Sequence, residues 1–252
     1  MSRYCIVAPP QILAELVDCG QIGRDHLLLA HDIVKQPNQK IYHMIFHPDS
    51  ALKLPLEIII LDNSVVETGK PAELEMVAEA AKIVVPTCIA LPDRYLDTNG
   101  TISDSTKALD SWSEEFENGD LMYIPQGRTP EDFFKAATAE PLMSDQRIKW
   151  WGIPRNIVQH HGTRRNAIEL VRALNPHRKI HLFGFSENLY DDIICARHPF
   201  AFSIDSAVPL RQRTQFPSPE LVGPRGEWWT KGRLTPLAIR NISVARDILG
   251  LS

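Results

Sequence analysis

Three aspartates and a glutamine stand at the ends of short apolar runs, where a side chain able to do chemistry would be presented. "EIIILD" ends in Asp62, "CIALPD" in Asp93, "LMYIPQG" in Gln126 and Gly127, and "AFSID" in Asp205. One aspartate after a strand is an ordinary cap or turn residue. Several at one end of one sheet are different, because like charges brought together are costly unless their protonation states are used. Paired carboxylates suit sugar chemistry: one attacks an anomeric carbon to form a covalent intermediate while another moves a proton. A third carboxylate, with the Gln126 amide and glycine N–H groups, matches the edge of a planar heterocycle. Guanine fits, with its N1–H and N2 amino group facing a carboxylate and its O6 facing amide donors.

Those residues need a frame that gathers strand ends. Eight apolar runs rich in Ile, Val and Leu lie at 4–8, 26–34, 57–61, 84–91, 121–125, 148–153, 179–185 and 201–205. Several are continuous rather than alternating, as in parallel strands covered on both faces. Amphipathic stretches at 71–82, 103–116, 129–139, 162–174, 186–196 and 235–249 read as helices. Thr129, Pro130 and the acids after them form a helix start. Unbroken alternation predicts an α/β chain folded as one (β/α)8 TIM barrel over residues 1–252, with its site at the strand C-termini. A doubly wound open sheet is the alternative, and the missing glycine-rich phosphate loop after the first strand disfavours it. Residues 1–55 carry no chemical motif and read as barrel and lid.

At 44% hydrophobic and 23% charged residues, the chain can build an ordinary globular core. It has no apolar run of the ~18 residues a membrane span requires, and its first residues lack a leader-like stretch, so a cytoplasmic location without membrane contact is expected. Cys5, Cys19, Cys88 and Cys195 are scattered without a CxxC pair, and His160 and His161 have no partner nearby in sequence. Reduced thiols, no metal and no cofactor are the expectation. Charge is uneven: residues 1–146 carry 11 Lys and Arg against 23 acids, and residues 147–252 carry 16 against 8. Clusters such as Arg147, Lys149, Arg155, Arg164, Arg165, Arg172, Arg178 and Lys179 suggest either a basic face for a polyanion or a solvated surface.

Asp205 is followed by Pro209 four positions on and by Arg211 two further. Asp62 opens "DNSVVE", Asp93 sits in "LPDRY", and Gln126-Gly127 precedes Arg128. "WWGIPRN" follows at 150–156 and "HLFGFSENL" at 181–189. In this order, over roughly residues 60–211, the series resembles the tRNA-guanine transglycosylase superfamily, and in compactness its phage relatives that insert 7-deazaguanines into DNA. The Asp–Pro–Arg spacing is that of the family's nucleophile motif. "DNSVVE" is similar to its D-S-G-G-F-Q motif, with Ser64 and Val65 in place of the glycines and Glu67 in place of Gln. Arg128 stands where the family's Q-G-G ends in Gly. No cysteine follows Cys195, so the family's zinc-binding subdomain is expected to be missing.

The resemblance implies a (β/α)8 enzyme with Asp205 as nucleophile and Asp62 as proton-transfer group. It implies that Asp93, Gln126, Gly127, Gly152, Ile153, Gly184 and Ser64 surround the base, and that Arg211, Arg213 and Arg155 meet phosphates. Its substrates would be a DNA strand, or a tRNA, together with a free 7-deazaguanine such as a preQ0-type base. A homodimer or an accessory protein is left open. Transglycosylation of tRNA, hydrolysis of a nucleoside, and a barrel that binds nucleic acid without catalysis remain as alternatives.

Overall fold

A computed structural model describes residues 2–112, 119–158, 162–186, 188–218 and 225–249. In it, eight parallel strands close on themselves in sequence order. They are β1 (Arg3–Ile6), β2 (Asp25–Leu29), β3 (Ile58–Asp62), β4 (Cys88–Ala90), β5 (Asp120–Tyr123), β6 (Ile148–Ile153), β7 (Lys179–Leu182) and β8 (Ala201–Ser206). Pairing of β8 with β1, Cys5 opposite Asp205, closes the ring. Helices lie between the strands, so the fold is the (β/α)8 barrel that the alternation predicts. Among the described residues no helix is long and apolar enough to cross a membrane.

All eight expected strands are present, and several are shorter than their apolar runs. The run 26–34 stops as a strand at Leu29, and Ala30–Ile33 turns into a short helix, α2. The polar pair His31-Asp32 interrupts it, and Asp32 is buried there because Lys35 and the Trp229 indole N–H both reach it. The run 84–91 splits differently. Helix α5 (Leu74–Val84) takes Val84 into its buried face. Val85 then leaves the helix with φ 46°, at a position where the following Pro86 disfavours further helix. Only Cys88–Ala90 remains for β4.

The remaining helices differ from expectation at their starts. The helix expected at 103–116 is α6, Thr98–Ser111, capped by the Asp97 carboxylate on the Gly100 N–H at 3.0 Å. Its first turn contains Asn99, Gly100 and Thr101, which have weak helix propensity and hide the start. Residues 113–116 of that expectation lie outside the described residues, as do His160 and His161. Helices α1 (Pro10–Asp18) and α3 (Asn38–Phe46) were not foreseen in the N-terminal region. There Ile12, Leu13 and Leu16 of α1, and Tyr42, Ile45 and Phe46 of α3, are buried in the core. After β3 and β5 come α4 (Val65–Thr68) and α7 (Pro130–Ala137). After β6 and β7 come α8 (Arg165–Leu174) and α9 (Leu189–Ala196). Helices α10 (Val208–Arg211), α11 (Arg225–Lys231) and α12 (Pro236–Leu249) follow β8.

Large side chains fill the barrel around one glycine. Trp150 and Trp151 are fully buried. Near the strand N-termini the Trp150 indole donates to Asp120 at 2.9 Å, with the Lys179 ammonium 4.7 Å from its ring centre. Toward the mouth, a Cβ on Gly152 would stand 2.6 Å from the Phe183 ring and 2.7 Å from Ile124. Gly152 is therefore the space into which Phe183 packs. Gly152→Ala is expected to destabilise the protein by about 1–3 kcal/mol through overpacking. A urea unfolding midpoint that falls with an unchanged slope would register it.

Candidate active site

Barrel closure brings the ends of β3, β4, β5 and β8 to one mouth. A cleft of about 1420 Å³ opens there, and Asp62, Asp93, Gln126 and Asp205 all line it. Gly184, Arg155 and Arg211 also reach this cleft, with Leu29, Val65 and Phe183 among its apolar walls. That mixture of apolar surface and a few convergent polar groups is the usual make-up of a small-molecule site. Tyr95, on the loop after β4, and Tyr190, in the first turn of α9, stand exposed at its rim.

Each carboxylate has a different setting. Asp93 is bracketed by two side-chain amides: Asn63 Nδ2 donates to Oδ1 at 2.8 Å and Gln126 Nε2 to Oδ2 at 2.6 Å. Gln126 is itself oriented, its Oε1 accepting from the Leu96 N–H and Asn156 Nδ2, each at 3.3 Å. Burial raises Asp93 to about 6, against the pull of the Asn63 and Gln126 donors. Asp205 Oδ1 accepts two N–H groups, His181 Nε2 and the Gly184 backbone, both at 3.0 Å.

Among the described residues Asp62 receives only the Ser64 backbone N–H, at 3.1 Å. Burial pushes its carboxyl well above the usual carboxylate range, and the charges of Glu67 and Asp93 push it further the same way. The site thus holds an aspartic acid that favours its neutral form, beside carboxylates supplied with hydrogen-bond donors. Carboxyl groups with contrasting environments are what general acid–base chemistry at neutral pH requires.

The other sequence candidates support the mouth from behind rather than line it. Ser64 is buried with φ 66°. This left-handed turn, uncommon for a residue with a side chain, aims its N–H at Asp62. A Cβ on Gly127 would meet the Phe133 backbone nitrogen at 2.4 Å, so Gly127 lets the start of α7 approach closely. Gly152 and Ile153 lie inside β6, and the Ile153 carbonyl accepts the Phe183 N–H at 2.9 Å. Arg213 is exposed and off the cleft.

The basic cluster does not form a single face. Arg147 pairs with Asp145 at 2.7 Å. Arg164 is fully buried against Asp192 at 3.3 Å. Arg178 is buried and donates to the Leu142 and Met143 carbonyls. Arg164 and Arg178 are thus taken up by internal packing, while Lys149, Arg155, Arg165 and Lys179 stay exposed.

Four functional partners escape a search of strand ends alone: Asn63, Asn156, His181 and Arg164. Asn63 simply follows Asp62. His181 has a legible signal, since "KIHLF" and "FSID" both place polar residues at alternate positions within apolar strands. Arg164 Nη2 donates to the Phe183 carbonyl at 3.0 Å and to that of Gly184 at 2.6 Å, holding the loop after β7. Among the described residues, no group of three or more His, Cys, Asp and Glu side chains could hold a metal ion.

Because folding raises its proton affinity, Asp62 lends stability while protonated, and that stability is lost as rising pH ionises it in the folded state. Asp62→Asn resembles the protonated form and leaves an oxygen for the Ser64 N–H. It is expected to raise the melting temperature at neutral and alkaline pH. Thermal melts across pH should show the gain shrinking as acidification protonates Asp62 in the unsubstituted protein. No protein-family model matches the chain, and no curated protein matches it significantly in sequence.

Proposed function

We propose that the chain is a base-exchange transglycosylase that replaces guanine in DNA with a 7-deazaguanine through a covalent aspartyl–sugar intermediate. The observation that carries this reading is the convergence of Asp62, Asp93, Gln126 and Asp205 on one cleft. The resemblance of the sequence supports the choice of bases, and its likeness to the phage relatives of that family supports the choice of DNA. The exposed Tyr95 and Tyr190 at the rim offer rings on which bases flanking an extruded nucleotide could stack, and Arg155 beside them offers a cation to a phosphate.

Asp93 accepts from the N1–H and N2 amino group of guanine, and the second N–H of the Gln126 amide donates to O6. Asp205 attacks C1′ of the flipped nucleotide. As the new O–C1′ bond forms, the bond from C1′ to the purine nitrogen breaks and its electron pair leaves with guanine. Neutral Asp62 gives its proton to the departing base and becomes a carboxylate. In the second half a 7-deazaguanine occupies the vacated pocket, Asp62 takes its ring N–H proton, and that nitrogen attacks C1′. The Asp205 carboxylate is released and both groups return to their starting protonation states.

Asp205→Asn is expected to abolish both base exchange and any covalent adduct. Mass spectrometry of digested nucleosides, after incubation with a 7-deazaguanine and either DNA or tRNA, reads the outcome. Exchange retained by the variant would overturn the nucleophile assignment. Incorporation into tRNA alone, or release of guanine without replacement, would instead favour the tRNA or hydrolytic alternatives.

Protonation of Asp93 also turns one of its oxygens into a donor and removes the charge that attracts the N–H groups of guanine. The KM for the free base is therefore expected to rise by about tenfold for each pH unit below about 6. Initial rates at varied base concentration across pH 5–8 test this, and a flat KM would remove Asp93 from base recognition.

A further inference from the structure

We propose that His181 and Ser203 act as a positioning pair that selects the attacking oxygen of Asp205 and stabilises the carboxylate when it departs. The proposal rests on the transglycosylase reading of the cleft. Its starting point is an asymmetry. Oδ1 of Asp205 accepts both His181 Nε2 and the Gly184 N–H. Among the described residues no hydrogen bond reaches Oδ2, and the residue lines the cleft. Oδ2 is therefore the oxygen left for C1′.

The donors that hold Oδ1 are themselves fixed. His181 is fully buried in β7. Its Nδ1 lies 2.8 Å from Ser203 Oγ, and Phe183 packs against the ring edge-on with centres 4.8 Å apart. With the Ser203 hydroxyl donating to Nδ1, Nε2 is the nitrogen that carries a hydrogen toward Asp205. Gly184 adopts φ 60°, a backbone state open to glycine at little cost. Its carbonyl is held by Arg164, which Asp192 anchors from behind.

The reaction changes the charge on this oxygen. In the free enzyme the carboxylate charge is shared between Oδ1 and Oδ2. Once Oδ2 bonds to C1′, the ester is neutral and Oδ1 is its carbonyl oxygen. When the incoming base displaces the ester, the Oδ2–C1′ electrons return to the carboxylate and charge reappears on Oδ1, where two N–H groups await it. Donors aimed at developing charge in a water-poor site are among the larger contributions to catalysis. Losing the His181 donor raises the energy of the departing carboxylate more than that of the ester. Breakdown of the intermediate slows, while its formation is spared.

The test uses an oligonucleotide substrate and radiolabelled guanine as the exchanging base, with the adduct measured on denaturing gels. His181→Leu removes the donor and is expected to lower turnover on the order of 10²-fold, while the fraction of enzyme trapped as adduct rises. His181→Gln keeps an N–H near the same place and should recover most of the turnover. Ser203→Ala should shift the partition in the same direction by less. Equal slowing of formation and breakdown in His181→Leu, or no recovery with Gln, would overturn the proposal. If His181→Leu does not fold, an unchanged adduct fraction in Ser203→Ala overturns it. Failure of the unsubstituted enzyme to form any adduct and to exchange any base would instead overturn the transglycosylase reading itself.

Discussion

The mutual repulsion and desolvation of carboxylates gathered at one end of the barrel is the constraint around which the mouth is arranged. Ionised groups brought together out of water raise one another's proton affinity, so each needs either donors or a proton. Asp93 is met by the Asn63 and Gln126 amides and Asp205 by His181 and Gly184. Among the described residues Asp62 has a single backbone donor and Glu67 for a neighbour, which leaves the proton as its compensation. The division of roles among three residues of the same type follows from what surrounds each of them.

Those surroundings depend on loop conformations that the strands alone would not impose. The left-handed Ser64 directs its N–H at Asp62, and the left-handed Gly184 does the same for Asp205. Behind Gly184 stands a fully buried ion pair, Arg164 with Asp192. Asp192 also accepts the Ser186 hydroxyl at 2.8 Å, so one carboxylate secures both the arginine and the loop it braces. A buried pair of this kind is a poor source of net stability, yet removing one member strands the other charge. Its value here lies in geometry: it fixes the loop that carries one of the two donors on Asp205.

Much of the barrel was legible in the sequence because parallel strands covered on both faces must be continuously apolar, and such runs mark themselves. What blurred was the boundary where one apolar run served two elements. Residues 84–91 supply the buried end of α5 and then β4, and only Val85 before Pro86 marks the break. The carboxylates at the mouth were legible because they end those runs. Their partners were less so, since Asn63, Asn156 and His181 acquire meaning only through neighbours 30, 30 and 24 positions away. The basic cluster was only partly legible for a related reason. Net charge along the chain does not reveal which cations are turned inward, as Arg164 and Arg178 are.

Strand β3 carries the contrast between the two ends of the barrel. At its start, Glu57 is bonded by Arg3 and paired with Arg24, and the Arg3 hydrogen bond lowers its proton affinity. At its end, Asp62 has no cation among its hydrogen-bond partners in the described residues, and its proton affinity rises. Five residues apart in sequence, two carboxylic acids are pushed in opposite directions, one by a guanidinium and the other by burial beside acids. The guanidinium that favours ionised Glu57 at the foot of the barrel has no counterpart among the described hydrogen-bond partners of Asp62 at its mouth. A mouth built for stability would have given Asp62 an arginine too. That arginine would have held the acid ionised and unable to give up a proton, which ties the unfavourable electrostatics of the site to the acid–base chemistry proposed for it.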